Sequence, residues 1–375
     1  MNVADLPTPC LVLDQDRFER NVARLKSHLN PFGVSFRPHL KTAKSIDVAR
    51  RVMSGAEGPA MVSTLREAEY YASYGVRDLV YGVGITPAKL ARVAEIQNRT
   101  GAKVTVILDS LEQAEATVAW GRGARLAAMI EVDCDGSRSG VASTDASQLV
   151  AIARVLTTGG VELRGVMTHA GGSYRAANAD ELAIAVENER HAVVSAAMIL
   201  RDDGLPCPIT SLGSTRTALA AADLSGVSEV RAGVYMFADL VHCGMGTCIV
   251  DDIAVSVMAT VIGHRRDKGW IMIDAGWMAL SRDRGTRSQA IDQGYGLVCD
   301  VAGTAYPDLL VLDTNQEHGL VGIRGGSGGV LPDLPVGSPV RILPNHACAT
   351  CAQHASYQVV RGTEVVGQWP RISGW

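Results

Sequence analysis

Between residues 10 and 243 the apolar positions alternate between two spacings. Short continuous runs of four to nine residues read as strands: GVSF, PAMVS, DLVYGV, KVTVILD, LAAMIEVD, LRGVMTHA, PITSLG and EVRAGVYMF. Most are separated by helix-patterned stretches of roughly a dozen residues. The segment after Asp14 shows the helical spacing plainly, because Phe18, Val22, Leu25 and Leu29 recur at steps of four, three and four and line one face. Eight strands with crossover helices predict a parallel α/β fold. Eight units within about 230 residues fit a closed (β/α)8 barrel better than an open doubly wound sheet. No Gly-x-Gly-x-x-Gly follows the first run, which argues further against a dinucleotide-binding sheet.

Beyond residue 244 the texture changes. IAVSVMATVIGH, GWIMIDAGW, LVGIRGG, SPVRILPNH and SYQVVRGTEVVGQW are β-rich, with glycine-rich connections and almost no helical periodicity. They predict a second, all-β domain over residues 244–375, after a barrel domain over 10–243. The run PCLVLD precedes the barrel strands, so residues 1–13 are expected to join the β domain. RGGSGG at 324–329 reads as a loop.

Composition narrows the classes. With 47% apolar and 20% charged residues, the 375-residue chain can bury a large core. A formal net charge of −4 offers no basic surface for nucleic acid or an anionic membrane. The start, MNVADLPTPCLVLD, has no basic stretch and no long apolar run, so no signal peptide is expected. No apolar stretch approaches the ~20 residues of a membrane helix. Eight cysteines, scattered from Cys10 to Cys351, form no disulfide framework, and a reducing, cytoplasmic setting is expected.

Active residues of such barrels sit at the C-terminal ends of the strands. Here the first barrel strand runs into FRPHLKTAKS, with Arg37, His39 and Lys41. A lysine there is an anion clamp, a covalent nucleophile or a surface charge. The fifth run ends in EVDCDGSRSG with Arg138, the sixth in THAGGSY with His169 and Tyr174, the seventh in LGSTRT and the eighth in RAGVYMF. Taken singly, each of these is equally a helix cap or a surface charge. GSTRT offers Gly213, Ser214, Thr215 and the start of a helix, which present backbone N–H groups and a favourable dipole to an anion; the plain alternative is an N-cap. Barrel enzymes often bind phosphate after strands seven and eight. A phosphate grip opposite a lysine on strand one suggests pyridoxal 5'-phosphate, held covalently by the lysine and non-covalently by its phosphate.

With these residues in place, the chain resembles the fold-type III pyridoxal-phosphate enzymes. Within them it resembles the D-serine dehydratase-like group, which includes metal-dependent D-threonine aldolases and D-threo-3-hydroxyaspartate dehydratases. The resemblance covers nearly the whole chain and rests on nine motifs in the family's order: TPCLVLD, RPHLKTAKS, EVDCDGSRSG, THAGGSY, GSTRTA, EVRAGVYMF, DAGW, NQEHG and LPNHACAT. It implies an alanine-racemase-like barrel in which Lys41 carries the cofactor. Gly213, Ser214, Thr215, Gly233 and Tyr235 would lie around the phosphate, with Arg138 and Tyr174 at the pyridine ring or its nitrogen. Lys44 is an internal control, expected on the following helix in a solvated role. Desolvation in the barrel mouth is expected to make Lys41 nucleophilic.

The last cluster is PNHACATC, with His346, Cys348, Cys351 and then His354. Imidazole and thiolate at i and i+2 of an extended segment point to one side and can reach one metal. A bare His-x-Cys is a weak signal. In the group resembled, a His-x-Cys or His-x-Asp pair here is the metal site, and His346 and Cys348 match it; Cys351 and His354 do not and are expected to be structural. The implied divalent ion is Zn, Mn, Co or Mg in an exchangeable site that polarises substrate.

Cofactor plus metal implies a substrate with a β-hydroxyl group. The His-x-Cys pair, and Ala170 where the aldolases carry histidine, favour dehydration over carbon–carbon cleavage, for which His169 is the substitute base that keeps the aldolase alternative open. The expected enzyme converts β-hydroxy-D-amino acids such as D-threo-3-hydroxyaspartate or D-serine into a 2-oxo acid and ammonia. The alternatives are an aldolase giving glycine and an aldehyde and, more remotely, a non-catalytic pyridoxal-phosphate carrier. SRDRGTR at 281–287 supplies Arg282 or Arg284 as a clamp for a second carboxylate, or else is a solvated loop. A homodimer is expected, with the partner's β domain covering each barrel mouth.

Overall fold

The computed structural model describes residues 1–121 and 125–375. The chain packs into two compact units, Leu25–Gly233 with Gly374–Trp375, and Met1–Arg24 with Val234–Ser373. Strand β1 (Cys10–Asp14) belongs to the second unit. The helix Gln15–Leu29 follows it and buries the predicted stripe of Phe18, Val22, Leu25 and Leu29.

The first unit holds β2 (Ser35–Pro38), β3 (Ala60–Val62), β4 (Asp78–Gly84), β5 (Lys103–Leu108), β6 (Ala127–Asp133), the two-residue β7 (Val141–Ala142), β8 (Glu162–Thr168), β9 (Ile209–Leu212) and β10 (Glu229–Ala232). Apart from β7, which pairs only with β6, the strands run parallel in the order β2-β10-β9-β8-β6-β5-β4-β3. A parallel bridge between His39 and Met61 joins β2 to β3, so the sheet closes. Side-chain caps start several crossover helices: Thr64, Ser110, Asp145 and Asn178 each accept the N–H three residues on.

One layer of the barrel interior is apolar, with Met61, Val80, Ile107, Met129 and Met167. Another is charged and fully paired. Buried Arg37 donates to Glu229 at 2.8 Å and Asp78 at 3.0 Å; Arg164 donates to Asp78 at 2.7 Å; Ser211 donates to Glu229 at 2.8 Å and accepts from Arg231 at 2.9 Å. Such pairing is what makes buried charge tolerable.

The second unit adds β11 (Val255–Arg265), β12 (Trp270–Ile273), β13 (Leu297–Cys299), β14 (Ala305–Thr314), β15 (Gly319–Ile323), β16 (Pro339–Leu343), β17 (Ser356–Arg361) and β18 (Glu364–Pro370). The sheet order is β12-β15-β14-β13-β16-β11-β1-β17-β18, and an added β12–β11 pairing closes six strands into a ring. β1 pairs antiparallel with β11 and parallel with β17, so the N-terminal strand joins this sheet.

Three local expectations need correction. The eighth barrel strand ends at Ala232, and Val234–Met236 is a 3-10 turn rather than continued strand. β13 and β14 were not predicted; within DLLVLDT the apolar run does not by itself separate strand from helix. The segment after β16 is not extended through Cys348. His346 is extended but takes the N-cap position of a helix, Ala347–Cys351, in which Ala347 and Ala349 favour the helical state.

Candidate active site and metal pair

In the first unit the ends of β2, β8, β9 and β10 bring the predicted polar groups together. Beyond β2, the His39 N–H donates to the carbonyl of Ala232 at 2.8 Å, and the Lys41 N–H reaches His39 Nδ1 at 3.5 Å. His39 Nε2 lies 3.4 Å from Ser63 Oγ. Burial, then the neighbouring Lys41, Arg231 and His169, hold His39 well below the usual imidazole range. His169 follows β8, and its Nδ1–H donates to the carbonyl of Gly213 at 3.0 Å, leaving Nε2 as the acceptor nitrogen. Burial lowers His169 to about 4, with Arg138, Arg231 and Lys41 adding to the fall. Both imidazoles are therefore neutral near pH 7.

The β9 end needs its glycine. Gly213 has φ +132°, and a Cβ there would run into the carbonyl oxygen of Arg231. Glu189, buried in the helix Ala179–Asp202, accepts the N–H groups of Ala170 at 2.8 Å and Gly213 at 3.3 Å, tying the β8 and β9 ends together. Ser214 is an N-cap for the helix Thr215–Ala220, its Oγ accepting the Thr217 N–H at 3.2 Å. The capping alternative thus holds for its hydroxyl, while the backbone of Gly213–Thr215 still forms the turn. Gly233 passes His39 closely enough that a Cβ would sit 3.1 Å from the His39 carbonyl oxygen. Tyr235 lies in the 3-10 turn and is assigned to the second unit.

Arg138 is exposed on the loop after β6. That loop is tied to the 171–175 turn by a Gly172 N–H to Asp135 hydrogen bond of 2.7 Å. Tyr174, in the same turn, stands with its ring 6.2 Å from that of His169. The arrangement offers a lysine, two neutral imidazoles, arginines and a glycine-dependent anion turn around one mouth, which fits pyridoxal phosphate.

The two lysines differ from expectation. Lys41 is exposed, so its own chain does not supply the desolvation. Lys44 is not on a helix, because Ile46–Val52 starts after it and Lys44 sits in a turn with φ +47°. It is not solvated either: its Nζ lies 3.3 Å from buried Glu67.

In the second unit His346 and Cys348 stay neighbours despite the helix. Asp283 accepts from His346 Nδ1 at 2.7 Å, and Asp283 followed by Cys348 pushes the imidazole up to about 11. Among the described residues no group of three or more histidine, cysteine or acidic side chains is placed to hold a metal. The donors present are the second imidazole nitrogen and one thiol, which fit an open two-ligand site. Asp239, fully buried, accepts from the Ala347 N–H at 3.0 Å and from His242 Nδ1 at 2.7 Å. Cys351 is buried and its thiol is pushed up to about 12 by burial; His354 Nε2 donates to the Ala279 carbonyl at 2.9 Å. Arg282 stacks on Trp277 at 4.4 Å, and Arg284 is paired with Asp292 at 2.6 Å.

Glu189, Asp239 and Asp283 were not singled out from the sequence. Asp283 lay inside SRDRGTR, where the arginines drew the reading. Asp239 had a local signal in Asp-x-x-His before a short helix.

A lysine-bearing parallel barrel joined to an antiparallel β unit defines a cofactor-dependent enzyme class, and the comparisons agree. The alanine racemase N-terminal domain family matches residues 13–240, and the putative serine dehydratase domain matches 254–360. The chain belongs to the fold-type III pyridoxal-phosphate enzymes, in the group that combines these two domains. It is 46% identical to the D-threo-3-hydroxyaspartate dehydratase of Delftia sp. over 99% of this chain and 98% of that one. The solved structure of that enzyme superposes with a TM-score of 0.96, covering 100% of both chains. A D-threonine aldolase from Filomicrobium marinum is 26% identical, with a TM-score of 0.79 over 98% of this chain and 95% of that one.

Proposed function

We propose that this protein is a pyridoxal-phosphate- and divalent-metal-dependent dehydratase of β-hydroxy-D-amino acids, with D-threo-3-hydroxyaspartate as the leading substrate and D-serine as a second. The observation that carries this reading is the 46% identity, over essentially the full chain, to an enzyme of that name. The His346–Cys348 pair and the absence of a histidine at Ala170 support dehydration over carbon–carbon cleavage.

When bound, the cofactor supplies an electron sink at the substrate α-carbon and the metal supplies Lewis acidity. Lys41 would hold the cofactor, and its Nζ is the group placed to take the α-proton. The Gly213–Thr215 turn, Gly233 and Tyr235 would receive the phosphate, and Arg138 and Tyr174 would serve the ring. His169, with its Nδ1–H committed to Gly213, presents Nε2 as a neutral acceptor beside Lys41. His346 and Cys348 would hold the divalent ion, and its Lewis acidity would bear on the β-hydroxyl. Loss of the α-proton and the hydroxyl, then hydrolysis, gives the 2-oxo acid and ammonia. The exposed Arg282 is the better remaining candidate for a second substrate carboxylate, since Arg284 is paired. The working form is a cytoplasmic homodimer.

A product assay with and without chelator decides the matter, on D-serine, D-threonine and both D-3-hydroxyaspartate diastereomers. A chelator-sensitive 2-oxo acid with ammonia supports the dehydratase. Glycine with an aldehyde makes it an aldolase, and no turnover of any of the four favours the carrier.

A further inference from the structure

We propose that Asp283 is a positioning residue that presets His346 for the metal: it holds the Nδ1–H of the imidazole, so that Nε2 alone is offered to an ion shared with Cys348. The proposal rests on the reading of His346 and Cys348 as metal ligands.

The geometry around Asp283 is fully committed. Its Oδ2 accepts from His346 Nδ1 at 2.7 Å, its Oδ1 accepts the Gly285 N–H at 2.9 Å, and its own N–H donates to Ser281 Oγ at 3.2 Å. With both oxygens used, the carboxylate cannot rotate without breaking a bond. The flanking arginines turn to other partners, Arg282 to the face of Trp277 and Arg284 to Asp292 and the face of Tyr295.

A second tie fixes the loop to the same strand end. Thr286 donates from its N–H and its hydroxyl to Asn345 Oδ1, at 3.3 and 2.5 Å, and Asn345 Nδ2 donates to the Gly294 carbonyl at 2.7 Å. The residue after His346 is held by Asp239 through the Ala347 N–H. The backbone on both sides of His346 is therefore anchored, and what remains to be set is the rotation and tautomer of its ring. Asp283 sets both. Metal-bound histidines generally donate their other N–H to such a carboxylate, which orients the ring and raises its basicity.

The test compares Asp283→Ala, Asp283→Asn and Cys348→Ala with the natural chain. Zn²⁺ affinity is measured on chelator-treated protein by competition with a chromophoric chelator, and imidazole ¹⁵N NMR of the Zn²⁺-loaded protein reads which His346 ring nitrogen keeps its proton. Asp283→Ala is expected to weaken Zn²⁺ binding about 10–100-fold and to remove the Nδ1–H preference. Asp283→Asn, which keeps one acceptor oxygen, is expected to fall between. It carries the test if the alanine variant does not fold. Unchanged Zn²⁺ affinity in both Asp283 variants, with tight binding lost in Cys348→Ala, overturns the role of Asp283 and leaves the metal pair standing. Equal affinity in the natural chain and Cys348→Ala overturns the metal pair itself, and the proposal with it.

Discussion

Lys41 and Lys44 are three residues apart and carry the same side chain, yet their surroundings differ. Lys41 is exposed at the end of β2, beside neutral imidazoles; Lys44 is folded back onto the buried carboxylate of Glu67. Lys41→Ala is expected to abolish activity and borohydride-trapped cofactor. Lys44→Ala should keep the trapped cofactor but lose about 1–3 kcal/mol of stability in denaturant titration, because buried Glu67 loses its lysine partner. Equal loss of cofactor in both variants would remove the assignment. His169 makes a second test at this scale. Its folded value of about 4 lies below the 6.5 of a free imidazole. Between those values the unfolded chain binds a proton that the folded chain does not, so stability falls as pH drops through that window. The fall then levels off. It amounts to at most roughly 3 kcal/mol for this group, and His39 acts in the same direction. His169→Gln should flatten the acid slope of unfolding free energy between about pH 7 and pH 4.

At the scale of elements, the short helix Ala347–Cys351 separates two thiols that the sequence set side by side. Cys348 is half-buried next to His346, while Cys351 points into the interior and is fully buried. Cys348→Ala is expected to abolish turnover of β-hydroxy substrates and tight metal binding, with the cofactor spectrum and fold retained. Cys351→Ala should keep the metal and activity and cost about 1 kcal/mol for the small cavity. If Cys351 proves as necessary as Cys348, the pair is misassigned. The i, i+2 argument that singled out His346 and Cys348 assumed a strand, and the structure replaces it with a cap followed by a helical turn. The two side chains still meet, because an extended cap residue and the second residue of the helix it starts lie on adjoining turns of chain.

For the whole molecule, the exposed Lys41 matters most. Proton abstraction at an α-carbon needs water kept out, and a barrel mouth that leaves its lysine exposed in the single chain calls for a cover. The expected cover is the β unit of a second copy, so sedimentation should find a dimer in the active preparation, and dilution to monomer should remove activity. A fully active monomer would refute it. Among the described residues no helix is long and apolar enough to cross a membrane.

The eight strands of the barrel and their parallel order were legible in the chain, because apolar spacing of two kinds is a local property and crossover connections leave few topologies; β13 and β14 of the second unit were not. The placement of Lys41, Arg138, His169 and Gly213 just after barrel strands was legible as well, since a barrel delivers strand ends to one mouth whatever its loops do. Partnership was not legible. That Lys44 meets Glu67, that Glu189 ties Ala170 to Gly213, and that Asp283 rather than an arginine of its loop reaches His346 depend on residues far apart in sequence being packed together. Local pattern fixes which side chains reach the sites; only the tertiary fold decides which of them are held, and by what.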